Sequence, residues 1–206
     1  DDVASGSLQA RYDGAAGTPT GDTLPDRSLY HDKRYPALTL IESGRGCPFS
    51  CEFCSITSFY QQTYTPRPID AIVAEIQAAG SRHVFFTDDN LVVNRERSLA
   101  LFEALIPLNV RWVSQMSIQA AHDRELLALM RRSGCAGVLI GFESLNADTL
   151  KAMGKSVNLL RDYDEPLANL RDHRLAIYAT FVFGYDGDAL DSFEQAYRFA
   201  QRHAFF

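Results

Sequence analysis

Three of the four cysteines fall within eight residues, at Cys47, Cys51 and Cys54. Thiolates are the usual ligands of iron–sulfur clusters, and three neighbours on one short loop can hold three corners of a cubane. A cluster with only three protein ligands leaves one iron open to a substrate or cofactor, as catalytic metal centres generally do. The spacing therefore predicts a [4Fe-4S] cluster with one exchangeable corner.

Two other kinds of centre use the same residue types. A zinc site could recruit His31 as a fourth ligand, although zinc loops usually contain two C-x2-C pairs and the chain has no second pair. An electron-transfer or regulatory cluster would be closed by a fourth ligand. Cysteines this few and this close together are not typical of a disulfide framework, which indicates a reducing, cytoplasmic compartment. The remote Cys135 precedes an apolar strand and is expected to be a buried thiol.

The composition is that of a globular chain with a core of its own. The 206 residues are 46% hydrophobic and 22% charged, which excludes a disordered chain. No apolar run approaches the length of a membrane span. The formal charge of −6 argues against non-specific binding to nucleic acid, which depends on clustered positive charge.

Short apolar segments alternate with helical patterns from residue 37 onward. Strands are predicted at 37–42, 82–87, 110–116, 137–142 and 175–183, and 204–206 could begin a sixth. Helices are predicted after Pro68, from Asn94 to about 105, from 124 to 133, from Glu165 after an Asp164 cap, and from Asp191 to about 202. This order predicts an α/β fold with a parallel sheet, either open or closed into a barrel, and a functional site at the carboxyl ends of the strands.

Both ends of the chain differ from this pattern. Residues 1–36 contain glycine and proline without apolar periodicity, so they are predicted to be an N-terminal arm or linker, with the core at 37–206. There is no signal peptide pattern. The chain stops on Phe205 and Phe206, which indicates a piece of a longer protein, unless the two rings pack back on the core.

The cysteine motif and several other stretches resemble the radical S-adenosylmethionine (SAM) superfamily over about residues 37–206. The C-x3-C-x2-C loop follows the first strand, as it does in that family. The lead-in at 42–48 resembles that of members with an upstream cobalamin-binding domain, and the arm at 24–30 looks like the linker after that domain. Three further stretches resemble strand ends of the same family, at 85–90, 141–145 and 181–188.

The resemblance implies a partial (β/α)6 TIM-like barrel, truncated here after the fifth unit. It implies that Cys47, Cys51 and Cys54 hold the cluster and that SAM chelates its open iron. The reduced cluster then cleaves SAM to methionine and a 5′-deoxyadenosyl radical, which abstracts hydrogen from a small-molecule substrate. It also implies an external electron donor such as flavodoxin or ferredoxin. Cobalamin, bound by a domain absent from this chain, would serve methylation or rearrangement.

Further cofactor-binding residues follow from the resemblance and from their positions at strand ends. Phe53 would lie against adenine, unless it packs in the core, and Phe183 would line the adenine side. One of Asp88, Asp89 and Asn90 would accept from the SAM amino group, unless these residues form a capping turn toward Asn94. Glu143 would take the ribose hydroxyls, unless it pairs with a cation such as Arg111. Two polar residues at the end of the third strand are expected to face the cofactor, namely Gln115 and Ser117.

Overall fold

The computed structural model describes residues 2–11, 24–30, 32–155, 158–159 and 163–205. Within these ranges the strands are β1 (Thr39–Ile41), β2 (Gly44–Arg45), β3 (Thr65–Pro66), β4 (His83–Phe86), β5 (Arg111–Gln115), β6 (Cys135–Glu143) and β7 (Ala176–Phe181). Five of them form one sheet in the order β1-β4-β5-β6-β7, and every neighbouring pair is parallel. β2 and β3 form a separate antiparallel ribbon.

Helices separate the strands of the main sheet. They are α1 (Asp2–Ser5), α2 (Ser55–Tyr60), α3 (Ile69–Ala79), α4 (Arg95–Leu105), α5 (Arg124–Arg132), α6 (Ala147–Ala152), α7 (Asp164–Asp172) and α8 (Asp191–His203). Short 3-10 helices lie at Arg27–Tyr30, Ile106–Leu108 and Ile118–His122. The predicted caps Asn94 and Asp123 accept from the backbone N–H groups of Arg97 and Leu126. Asp164 is the first residue of α7 rather than its cap, because Tyr163 takes that position.

The core lies between the sheet and the helices on one of its faces. Trp112 of β5 stacks on Phe102 of α4 with ring centroids 5.1 Å apart and donates its indole N–H to Ser133 O. A second aromatic group surrounds the buried Phe142, which contacts Tyr163, Phe181, Phe199 and Phe205. On the opposite face of the sheet, Leu40 and Tyr178 are more than half exposed. One face of the sheet is therefore packed and the other is open.

The sheet is not closed into a barrel. β1 and β7 lie at its two edges in the described part of the chain, so the prediction of an α/β fold with parallel strands that stops after the fifth unit is confirmed. The sixth strand expected at 204–206 is not formed by the described residues, because Ala204 ends α8 in the left-handed conformation. Phe205 packs back on the aromatic group instead, and Phe206 lies outside the described residues.

The arm is described only in part. Residues 2–11 and 24–30 contain one turn of α-helix and one 3-10 helix, while His31 and most of the glycines that suggested a linker lie outside the described residues. The boundary at residue 36 stays a prediction. Among the helices of the described ranges, none combines the length and the apolar character that crossing a membrane requires.

Candidate functional site

A cleft opens at the carboxyl ends of the strands, where the βα pattern predicts the site. Its cavity volume is about 220 Å³, and it is open to solvent on one side. We call it the cysteine cleft. Nine of the eleven residues predicted for the site lie in its wall: Cys47, Cys51, Phe53, Cys54, Asp89, Asn90, Gln115, Ser117 and Glu143.

The cysteine loop between β2 and α2 is held by backbone contacts. Cys54 N–H donates to Cys51 O, which closes a turn between two of the thiols. Glu52 N–H donates to Met153 O at the end of α6, and the Thr57 hydroxyl donates to Phe49 O. The loop is therefore fixed from both sides, by α2 and by the turn after α6.

The three thiols of the loop are free and electrostatically coupled. Burial raises the pKa of Cys47, and the neighbouring Cys51, Asp89 and Cys54 raise it further. Burial also raises the pKa of Cys51, while the ammonium of Lys155 acts in the opposite direction. Thiolates in this environment need a cationic partner, and the iron of a cluster would supply that charge.

The donor set, three cysteines on one loop, is that expected for a [4Fe-4S] cluster. Three cysteines line a single cleft, and three thiolates are the number that a cubane with one open iron requires. Within the described ranges, no three His, Cys, Asp or Glu side chains converge closely enough to hold one metal ion. His31, the fourth ligand of the zinc alternative, lies outside the described residues.

The three polar residues after β4, at positions 88–90, make different contacts. The Asp88 carboxylate points away from the cysteine cleft and accepts from Ser43 N–H at 2.9 Å and from Ser43 Oγ at 2.5 Å. Burial raises the pKa of Asp88, and these bonds offset part of that effect. Asp89 and Asn90 line the cleft, and burial followed by the charge of Glu42 raises the pKa of Asp89. Of the three residues, Asp89 and Asn90 therefore border the cleft, and the Asp88 carboxylate is bound to Ser43.

A bulge in β6 directs Glu143 into the cleft. The register with β7 shifts between Gly141 and Glu143, and Glu143 adopts the left-handed region at φ 65°. Bulges and strained backbones of this kind often turn a side chain toward an active site. A Cβ on Gly141 would lie 2.1 Å from Glu143 Oε1, so the small residue makes room for the carboxylate. Glu143 does form an ion pair, with Lys155 at 2.9 Å rather than with Arg111.

The two aromatic residues predicted to contact adenine lie in different places. Phe53 is 41% exposed on the wall of the cysteine cleft, with the Lys155 ammonium 5.6 Å from its ring centroid, so core packing does not describe it. Phe183 is absent from the wall of this cleft and stacks on Phe193 with centroids 4.3 Å apart. Phe193 belongs to α8, so Phe183 lies against that helix.

Lys155 is a site residue that the sequence interpretation missed. It lines the cysteine cleft, pairs with Glu143 and covers Phe53. Its position follows the short α6, which the sequence pattern did not predict, and it belongs to no strand end. A lysine twelve residues beyond Glu143 carries no spacing signal, so only the fold brings the two together.

A family model described as the Radical SAM superfamily matches residues 41–200. Among curated proteins, the bacteriochlorophyllide d C-12(1)-methyltransferase of Chlorobaculum tepidum is 35% identical over 98% of this chain and 47% of its own length. The hopanoid C-2 methylase of Rhodopseudomonas palustris is 27% identical over 87% of this chain and 36% of its own length. The chain therefore spans less than half the length of these relatives.

Solved structures show the same fold. The radical SAM methyltransferase TsrM from Kitasatospora setae, with cobalamin and a [4Fe-4S] cluster bound, aligns with a TM-score of 0.72 at 16% identity, over 82% of this chain and 35% of that one. The cobalamin-dependent radical enzyme OxsB aligns with a TM-score of 0.63 at 16% identity, over 79% of this chain and 26% of that one. At these identities the likeness concerns the fold.

Proposed function

The chain belongs to the radical SAM superfamily, and we propose that it is the catalytic core of an enzyme that methylates an unactivated carbon. The observation that carries the proposal is the cysteine cleft, where three free thiols face the polar ends of β4, β5 and β6. When bound, the cluster supplies one electron that cleaves SAM to methionine and a 5′-deoxyadenosyl radical, and this radical takes a hydrogen atom from the substrate.

The residues of the cleft have separate roles in this proposal. Cys47, Cys51 and Cys54 would hold three irons of the cluster and would leave the fourth to SAM. Asp89 and Asn90 supply oxygens for its amino group, and Glu143 accepts from its ribose hydroxyls. Phe53 lies where a flat adenine could stack on it. The walls of the cleft orient the sulfonium and restrict water around the radical.

The substrate in this proposal is a large, mostly apolar ring system. The names of the relatives mention bacteriochlorophyllide and hopanoid, and a further relative at 27% identity is an anaerobic magnesium-protoporphyrin IX monomethyl ester cyclase. The exposed Leu40 and Tyr178 on the open face of the sheet suit such a substrate. We further propose a cytoplasmic protein that receives electrons from flavodoxin or ferredoxin and uses a cobalamin bound outside these residues.

The cyclase relative supports a second candidate, a radical ring closure or rearrangement without methyl transfer. The products of SAM distinguish the two reactions. Both form 5′-deoxyadenosine by reductive cleavage, whereas methyl donation also leaves S-adenosylhomocysteine. An electron-transfer or regulatory cluster would leave SAM intact.

The test uses the full-length protein, purified and reconstituted without oxygen. Iron analysis is expected to give about four irons per chain. After addition of dithionite, cobalamin and SAM, mass spectrometry should detect 5′-deoxyadenosine together with S-adenosylhomocysteine, and Cys51→Ala should form no 5′-deoxyadenosine. Intact SAM beside a complete cluster would refute the enzyme proposal. Formation of 5′-deoxyadenosine without S-adenosylhomocysteine would favour rearrangement.

A further inference from the structure

The N-terminal arm contacts the core through a charged side chain. Arg27, in the 3-10 helix Arg27–Tyr30, donates from Nη2 to Glu75 Oε1 at 2.7 Å and to Leu40 O at 3.2 Å. Glu75 lies on α3, and its side chain is 5% exposed. A carboxylate removed from water needs donors on its oxygens, because an unsatisfied buried charge is costly. Arg27 therefore belongs to a buried ion pair.

The other oxygen of Glu75 is bound by a second arginine. Arg67 Nη2 lies 2.9 Å from Glu75 Oε2, and the Arg67 side chain is 8% exposed. The same guanidinium donates from Nη1 to Glu42 O at 2.6 Å, and Arg67 N–H donates to Ser43 O at 2.9 Å. Glu75 thus connects the arm with the backbone at Glu42 and Ser43.

That backbone leads directly into the cysteine loop. Ser43 O also accepts from Arg97 Nη2 at 2.9 Å, and Ser43 donates its N–H and hydroxyl to Asp88. From Ser43 the chain continues through β2, where Gly44 and Arg45 pair with Pro66 and Thr65 of β3, and reaches Cys47 two residues later. The segment before the first cysteine is consequently fixed in part by polar contacts of Ser43.

We propose that Arg27 is a positioning residue for the cysteine loop, which it orders through Glu75 and Arg67. Without Arg27, Glu75 Oε1 loses its short donor and the carboxylate is free to turn toward Arg67. Arg67 then loses the geometry that lets it donate to Glu42 O, and the entry to Cys47 loosens. The arm thereby becomes part of the site that holds the cluster. This role rests on the proposed function, because it assumes that a cluster binds there.

The experiment compares four forms of the full-length protein: wild type, Arg27→Met, Arg27→Lys and Arg198→Met. Lysine keeps the charge at position 27. Arg198 is a matched control, because it forms an exposed pair with Glu194 at 2.7 Å on α8. Hydrogen exchange is measured on metal-free protein, and the rate of iron loss to a ferrous chelator is measured after reconstitution.

We expect Arg27→Met to accelerate exchange about five-fold at the amides of Ser43 and Arg67, as loss of one buried hydrogen bond would. Iron loss should accelerate similarly, Arg27→Lys should recover most of both effects, and Arg198→Met should match wild type. Glu75→Gln should reproduce the local effect if Arg27→Met does not fold.

Unchanged exchange at these two amides would overturn the inference. An increase that is equal in α5 would overturn it too, because that pattern reports a general loss of stability. The exchange measurement needs no cluster. It therefore tests whether Arg27 orders the cysteine loop even if the wild-type protein assembles no cluster and the proposed function fails.

Discussion

The Lys155 ammonium lies 2.9 Å from Glu143 Oε1, and it also stands over the ring of Phe53. These three residues come from the loop after α6, the end of β6 and the cysteine loop. The ion pair holds the Glu143 carboxylate at the wall of the cysteine cleft, on a left-handed residue that the β6 bulge turns inward. The carboxylate is thereby placed before any ligand arrives, which lowers the ordering cost of binding.

Glu143→Gln should weaken SAM binding without removing the cluster. A carboxylate can accept from two ribose hydroxyls, whereas an amide offers one acceptor oxygen, and a hydrogen bond to a charged group contributes about 1.5–3 kcal/mol. We therefore expect the Kd for SAM to rise by roughly 10- to 100-fold, measured by calorimetry on reconstituted protein. Asp148→Asn is the control, because this exposed carboxylate pairs with Lys151 outside the cleft. Equal affinities of Glu143→Gln and wild type would remove Glu143 from the SAM site.

Replacing any one of the three loop cysteines by alanine should abolish stable iron binding. Each thiolate is expected to hold one corner of the cluster, and two corners are too few to retain it. The iron content should fall from about four irons per chain to background in Cys47→Ala, Cys51→Ala and Cys54→Ala. Cys135→Ala should retain the wild-type value, since Cys135 is buried in the core. Iron loss in that control would point to a cluster ligand outside the loop.

The Cys135 thiol should resist alkylation in the native protein. It is fully buried, and burial raises its pKa to about 12. At pH 8 roughly one molecule in ten thousand would carry the reactive thiolate there, against a larger fraction for an ordinary thiol. Mass spectrometry after iodoacetamide treatment should find Cys135 unmodified until urea is added. Rapid native labelling would show that β6 opens readily.

The sequence predicted the main sheet because each of its strands is an apolar run with turn residues close by. The same reasoning placed the site at the strand ends, and nine residues predicted for it do line one cleft. The β2–β3 ribbon was missed because each of its strands has only two residues, too few to show a period. α6 was missed for a similar reason, since a six-residue helix shows little amphipathic pattern.

The contacts of several predicted site residues could not be predicted from the sequence. Asp88 and Asp89 are neighbours of the same type, and only Ser43, 45 residues earlier, decides that Asp88 turns inward. Phe183 stacks on Phe193 of α8, a contact that no spacing in the sequence indicates. The ion pair of Glu143 with Lys155 follows from a bulge in β6, and the sequence does not mark that bulge.

Gly46→Ala should damage the cysteine loop far more than Gly80→Ala damages α3. Both glycines have positive φ, 81° and 65°, so alanine is strained by about 1–2 kcal/mol at either position. At Gly46 a Cβ would also lie 2.2 Å from the backbone oxygen of Thr63, whereas nothing lies within 4 Å at Gly80. That oxygen belongs to the chain before β3 and cannot rotate away, so the loop itself must move.

In urea denaturation we expect Gly80→Ala to lower the free energy of unfolding only by the strain energy. Gly46→Ala should lower it by about 3 kcal/mol or more. Because Cys47 is the next residue, Gly46→Ala should also release iron faster than wild type, while Gly80→Ala should not. Equal stability losses for the two variants would mean that the loop tolerates a side chain at Gly46. The close approach to Thr63 would then contribute nothing to the geometry of the cluster ligands.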